Sequence, residues 1–160
     1  MTKFASTVCL VAAAVALSAG AAFAEEQTLK FRLVTMPVEQ VAFTAPSDVG
    51  HDLSVAKEVG VAVFDDGRIA KKTFVIMTNS AGATGEYSGY STYTFENGDS
   101  ITASFTGSWG AETDGGDYKL ISGTGAYEGA TGTGRFDGVE NPWEDTYLAN
   151  GSFTLSTPAK

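Results

Sequence analysis

Gly123-Thr-Gly-Ala-Tyr-Glu-Gly-Ala-Thr-Gly-Thr-Gly134 holds five of the nineteen glycines of this 160-residue chain, between two segments that both read as strands. Glycine tolerates positive φ and admits close backbone approach, so such a cluster marks a tight corner between strands. Spacing excludes a nucleotide-binding loop. A dinucleotide fingerprint needs glycine where Glu128 stands and a helix afterwards, and a P-loop needs Gly-Lys-Ser/Thr. Arg135-Phe136-Asp137-Gly138 follows instead, a further short strand.

Outward from this corner, residues 25–160 carry no helical periodicity. Apolar and polar residues alternate, threonine, tyrosine, phenylalanine and valine are enriched, and turn residues recur at short intervals. Eight strands are expected, over 28–36, 53–64, 69–78, 86–96, 100–109, 117–122, 131–138 and 146–157. Asp65-Asp66-Gly67 and Glu96-Asn97-Gly98-Asp99 supply hairpin chemistry to two connections. Residues 79–85 and 110–116 read as longer glycine-containing loops, and Asn141-Pro142 breaks the chain before the last strand. Residues 37–52, with Pro37 and Pro46, read as a long irregular segment suited to a lid or rim. Eight short antiparallel strands in one small domain predict an all-β fold: a single eight-stranded antiparallel barrel, closed so that no strand is left as an edge.

With Ile121-Ser122 in front, the corner becomes I-S-G-T-G-A-Y-E-G-A-T-G, which resembles the glycine-rich turn of the allene oxide cyclase and dirigent-like (calycin-like) barrels. Val59-Gly60-Val61-Ala62 is similar to a V-G-x-A run on that family's second strand. Tyr90-Ser91-Thr92-Tyr93-Thr94-Phe95 followed by Asn97-Gly98 is similar to its aromatic strand and hairpin. The resemblance spans roughly residues 53–136. It implies a closed barrel with an apolar lumen, assembled as a homo-oligomer, a trimer or a dimer. Allene oxide cyclases fold a fatty-acid epoxide for ring closure, and dirigent proteins steer the coupling of phenolic radicals. Both work mainly by shaping an apolar cavity. The family's functional positions lie largely outside the glycine turn, so no catalytic residue is carried over.

Residues 1–24 read as a secretory signal peptide. Lys3 gives a positive n-region, Val8 to Ala19 an apolar h-region, and Ala22-Phe23-Ala24 a cleavage site of A-x-A type. The barrel domain is then 25–160, secreted or periplasmic. No apolar run is long enough to cross a bilayer as a helix, so no membrane span is expected. The one cysteine, Cys9, falls in the signal, so the exported domain depends on its core without disulfides. Without Lys3 the chain has nine basic residues against nineteen acidic ones. Such a surface repels nucleic acid and anionic lipid.

Strand parity sorts the side chains onto two faces. Tyr87, Gly89, Ser91, Tyr93 and Phe95 share one, as do Ile101, Ala103, Phe105, Gly107 and Trp109 on the next strand. Leu29, Phe31 and Leu33 do so on the first strand, and Tyr147, Ala149, Gly151, Phe153 and Leu155 on the last. Placed inward, these faces give an aromatic lumen in which Phe31, Tyr93, Phe95, Phe105, Trp109 and Phe153 are the candidate ligand-binding residues. The interleaved small residues Gly89, Ser91, Ala103, Gly107, Ala149 and Gly151 favour a hollow over a filled core. The second strand reads two ways. If Leu53, Val55, Val59, Val61 and Val63 face in, Lys57 is buried with them and its pKa falls, making it a candidate base. If Ala56, Gly60, Ala62 and Phe64 face in, Glu58 is the inward acid and desolvation raises its pKa. A charge at a strand end that snorkels to water is the plain alternative for either residue.

His51 is the only histidine, so no Ser-His-Asp triad or multi-histidine metal site is supported. Asp65-Asp66 and the acidic run from Glu112 to Asp117 match no EF-hand spacing. Neither metal nor cofactor is expected. Arg135 shares a face with Thr131, Thr133 and Asp137, and is expected outside in an ion pair. Three readings of function stay open. The barrel is an isomerase, cyclase or dirigent-like guide for a hydrophobic small molecule, or a non-enzymatic carrier or sensor of an apolar ligand, or an envelope protein with a filled core.

Overall fold

The computed structural model describes residues 25–46, 50–111 and 114–158; the signal-peptide reading of 1–24 lies outside them. The elements follow in order: β1 Glu25–Thr44, β2 Asp52–Phe64, β3 Ile69–Ala81, β4 Thr84–Phe95, β5 Ser100–Trp109, β6 Asp114–Thr124, β7 Thr131–Gly138 and β8 Tyr147–Thr157. Each strand pairs antiparallel with its neighbours in sequence, and β1 pairs with β8 to close the barrel. No helix among the described residues is long and apolar enough to cross a membrane.

All eight expected strands form, and three of the expected loops are shorter than expected. Residues 37–44 are not irregular: β1 runs on to Thr44, paired with β2 as far as Thr44↔Asp52. A register shift between Pro37 and Glu39 absorbs the proline, which lacks the N–H a regular ladder needs. The β1–β8 pairing stops at Thr35↔Tyr147, so Met36–Thr44 projects past the barrel wall as half of a long hairpin. The expected loop over 79–85 shrinks to a turn at Gly82-Ala83, with Ala81 paired to Thr84. Likewise β6 begins at Asp114, inside the loop expected over 110–116.

The strands run between two unlike ends. At one lie the β2–β3 and β4–β5 hairpins and the β6–β7 corner, which is the glycine run. The corner turns through a short 3₁₀ segment, Gly125–Tyr127, entered at Gly125 with φ +61°. A side chain at Gly125 would also collide with the Asp99 carboxylate, which accepts the Ala126 N–H at 3.2 Å and ties the corner to the β4–β5 hairpin. The turn drives Tyr127 inward until 2 % of it is exposed, stacked on Phe95 with ring centroids 5.2 Å apart. Arg68 donates to the Tyr127 hydroxyl, and its guanidinium lies 5.2 Å from the Phe95 ring centroid. Phe64 packs on Phe95 at 5.1 Å and on Phe31 at 5.2 Å. This end is plugged.

The inward faces match strand parity: Leu29, Phe31, Leu33, Tyr93, Phe95, Ile101, Ala103, Phe105, Ala149, Phe153 and Leu155 are all buried. The small residues among them leave only part of the barrel hollow, toward Trp109 and Asp114. Their missing side-chain volume seats rings from neighbouring strands. A Cβ at Gly89 would strike the Phe105 ring, at Gly107 the Tyr87 ring, and at Gly151 the Phe31 ring. Close packing to the density of an organic crystal explains the pairing of large with small.

Candidate functional site

The interior is filled at one end and hollow at the other. Phe31, Tyr93 and Phe153 meet at centroid distances of 5.2–5.4 Å and complete the packed half with Phe64 and Phe95. Beyond them a cavity of about 290 Å³ extends to Trp109 and Asp114, the last residue of β5 and the first of β6, and so opens at the second end. Phe74, Ile76, Phe105, Trp109 and Phe136 give it apolar walls, and Thr35, Glu58, Lys72, Tyr87, Asp114 and Tyr147 place polar atoms in it. Of the six residues expected to line a lumen site, Phe105 and Trp109 line this cavity. Phe31, Phe95 and Phe153 pack the closed half instead, and Tyr93 lies at the boundary.

β2 resolves its ambiguity through packing. Ala56, Ala62 and Phe64 face in with Gly60, and Val55, Val61 and Val63 stand outside. The reason is steric. A Cβ at Gly60 would strike Val34 and Thr35 on β1, so the neighbouring strand leaves room for no side chain at this inward position. Lys57 is therefore on the outer surface and not in the lumen. Glu58 is the inward acid. Burial pushes its carboxyl above the usual range, partly offset by the Thr35 hydroxyl, which donates to Oε2 at 3.1 Å, and by the charge of Lys72.

Lys72 is the residue that sequence reasoning misses. On β3 the doublet Lys71-Lys72 reads as surface charge, yet Lys72 shares its face with Ala70, Phe74 and Ile76 and is 4 % exposed. Its Nζ lies 4.1 Å from the Phe74 ring centroid, with the rings of Tyr93, Phe105, Tyr118 and Phe136 within 5.9 Å. It donates to the Tyr118 hydroxyl at 3.1 Å, and Tyr118 and Tyr93 share a further hydrogen bond of 2.9 Å. Burial pulls the Lys72 ammonium down to about 7, and Glu58 only partly restores it. Burial likewise pushes both tyrosines up, so they remain neutral phenols.

Toward the mouth, the Tyr147 hydroxyl donates to Asp114 Oδ1 at 3.3 Å. Burial raises the Asp114 carboxyl and the Tyr87 phenol. Tyr87 Oη is buried without a hydrogen-bond partner among the described residues, although Tyr147 lies near enough to perturb it. A buried hydroxyl left free in a cavity wall is a place for a guest's polar group. His51 lies outside this group, hydrogen-bonded through Nδ1 to the Asn79 side chain at 2.7 Å. Arg135 is outside the barrel in an ion pair with Asp137 at 2.8 Å, as expected. The cavity thus presents a weakly basic amine, a weakly acidic carboxyl and neutral phenols inside apolar walls. Two groups whose affinities for a proton are pushed together in this way are suited to acid–base or nucleophilic chemistry near neutral pH.

No protein-family model matches the chain, and no curated protein does. Solved structures do. A pterocarpan synthase dirigent protein superposes with a TM-score of 0.57 at 12 % identity, over 92 % of this chain and 99 % of that one. A second pterocarpan synthase dirigent protein gives 0.54 at 13 %, over 85 % and 97 %. A protein of unknown function from the DUF3224 family of Shewanella oneidensis gives 0.54 at 16 %, over 82 % and 96 %. At these identities the likeness is one of fold, and the fold is a dirigent-like barrel.

Proposed function

We propose that the barrel binds a hydrophobic small molecule in the open half of its lumen and constrains its conformation, as an isomerase, cyclase or dirigent-like guide does. The observation that carries this reading is the half-hollow interior, in which Lys72 and Glu58 face a cavity walled by aromatic rings. Its volume is at the low end for ligand sites and suits a molecule of one or two rings better than an extended lipid chain. Tyr87 offers the polar contact that fixes orientation. Two structural relatives are described as pterocarpan synthases, which supports a phenolic or phenylpropanoid guest. Lys72 and Glu58 replace Lys57 as candidates for chemistry. Export after removal of residues 1–24, and association of the barrels into a dimer or trimer, belong to the same proposal.

Tryptophan fluorescence tests binding. Hydrocinnamyl alcohol, a phenylpropanoid without a reactive group, should change the emission of the wild-type protein saturably. Trp109→Phe should lose most of that change. Trp143→Phe should keep it, because Trp143 is 59 % exposed and stands outside the cavity lining. No saturable response to the alcohol or to octanoate would leave the barrel a structural protein.

A further inference from the structure

We propose that Lys72 captures the carbonyl carbon of an aldehyde or ketone guest as a reversible imine, with Glu58 as the proton carrier for the step. This rests on the cavity being a ligand site and names the chemical class it is built to hold. The placement is unusual for a lysine. A buried ammonium ordinarily requires a paired carboxylate, yet Lys72 forms no ion pair: the salt bridges among the described residues are Arg68–Asp66 and Arg135–Asp137. Its one hydrogen bond goes to a neutral phenol. Such an environment favours the uncharged amine, and the uncharged amine is the nucleophile.

The groups that could alter its charge face it from three strands: Glu58 on β2, Tyr93 on β4 and Tyr118 on β6. Tyr87, Asp114 and Tyr147 stand nearer the mouth. Only Glu58 exerts a resolved charge effect on Lys72. The ladder pairs Glu58 with Phe74 and Gly60 with Lys72, so the two are diagonal neighbours on the inward face. Diagonal positions on adjacent strands are within reach of long side chains.

In the step, neutral Nζ attacks the carbonyl carbon. The N–C bond forms, the carbonyl π pair moves to oxygen, and the proton shed by nitrogen reaches that oxygen to give a carbinolamine. The Glu58 carboxyl then protonates the hydroxyl, which leaves as water toward the open end. Glu58 takes back the remaining nitrogen proton as the imine forms. One carbonyl and one amine give one imine and one water, with no oxidant or reductant. Tyr118, bonded to Nζ, holds the amine in place for the attack.

Incubating the folded protein at pH 7 with hydrocinnamaldehyde and cyanoborohydride, followed by peptide mass spectrometry, tests the proposal. Any imine is reduced to a stable secondary amine. An ordinary solvated lysine keeps its proton until about pH 10, so labelling of Lys72 should exceed that of any exposed lysine by at least about tenfold. Hydrocinnamyl alcohol should compete the label away, and Lys72→Met should lose it while keeping the wild-type circular dichroism. Glu58→Gln should slow labelling of Lys72 without changing which lysine is labelled. If the alcohol binds but the label spreads over exposed lysines or misses Lys72, imine capture is wrong and the binding site stands. If neither compound binds, the cavity is no ligand site and both proposals fall.

Discussion

Lys72 carries a stability cost whose pH dependence follows from its surroundings. Its folded pKa of about 7 lies below the value near 10.4 of an unfolded lysine. Between these two pH values the unfolded chain holds a proton that the folded chain has released. Stability therefore rises with pH across that window, and below it the buried ammonium exacts its full penalty. Replacing Lys72 with methionine, close in size and uncharged, should raise the melting temperature most at pH 6. By pH 10 the difference should narrow toward zero. At pH 6 the gain is on the order of 2–4 kcal/mol, less any loss from leaving the Tyr118 hydroxyl with Tyr93 alone. Glu58 acts with the opposite sign in the acid range. Its carboxyl is raised above 4.5, so the stability it contributes is present below that pH and is lost as pH climbs through the folded value. Thermal melts of both proteins at pH 6, 8 and 10 would decide the matter, and parallel curves would contradict the burial of charge at Lys72.

Among the elements, the glycine corner is the most constrained. Gly125 combines φ +61° with the Asp99 carboxylate in the space a side chain would take. Gly125→Val should cost about 1–3 kcal/mol through left-handed strain, with the further loss of the Asp99 bond to Ala126. Urea denaturation would measure it, and an unchanged midpoint would mean the corner tolerates any residue. This corner was legible in the sequence because glycine spacing reports backbone geometry directly. Strand parity was legible on β4, β5 and β8, where one face is aromatic or aliphatic and the other is largely serine and threonine. It failed on β2 and β3 for a common reason. Both faces of each are apolar, with Val55, Val61 and Val63 opposing Ala56, Ala62 and Phe64, and Ile69 and Val75 opposing Ala70 and Phe74. Alternation then cannot say which face is inside, so Lys57 and Glu58 compete for the inward position and nothing in the alternation singles out Lys72. The parity of Lys72 with Phe74 and Ile76 was the available signal. The packed half escaped for another reason: a small residue beside a ring leaves a gap or seats the ring, and sequence does not distinguish the two.

At the scale of the whole molecule, the valine face of β2 lies on an outer wall that is apolar well beyond one strand. Val61 pairs with Val34, Val63 with Ile69, and Val55 with both Val41 and Met77. Exposed apolar stripes are candidate association sites, and this one, bordered by Arg32 beside Val63 and Lys71 beside Val61, supports the proposed dimer or trimer. Val61, 46 % exposed at the centre of the stripe, is the residue to change. Val61→Asp should convert the assembly to monomers in size-exclusion chromatography with light scattering, with the strand signal in circular dichroism retained. A wild-type protein that is monomeric at micromolar concentration would remove the proposal. The plug formed by Arg68, Tyr127, Phe64 and Phe95 bears on any guest of the lumen in a different way. It leaves the guest a single doorway, and a molecule too long to turn round inside must leave by the end that went in last. Orientation is then chosen once, outside, before any wall has been touched. A change that narrows the doorway slows arrival and departure by the same factor, so residence time lengthens while affinity stands still.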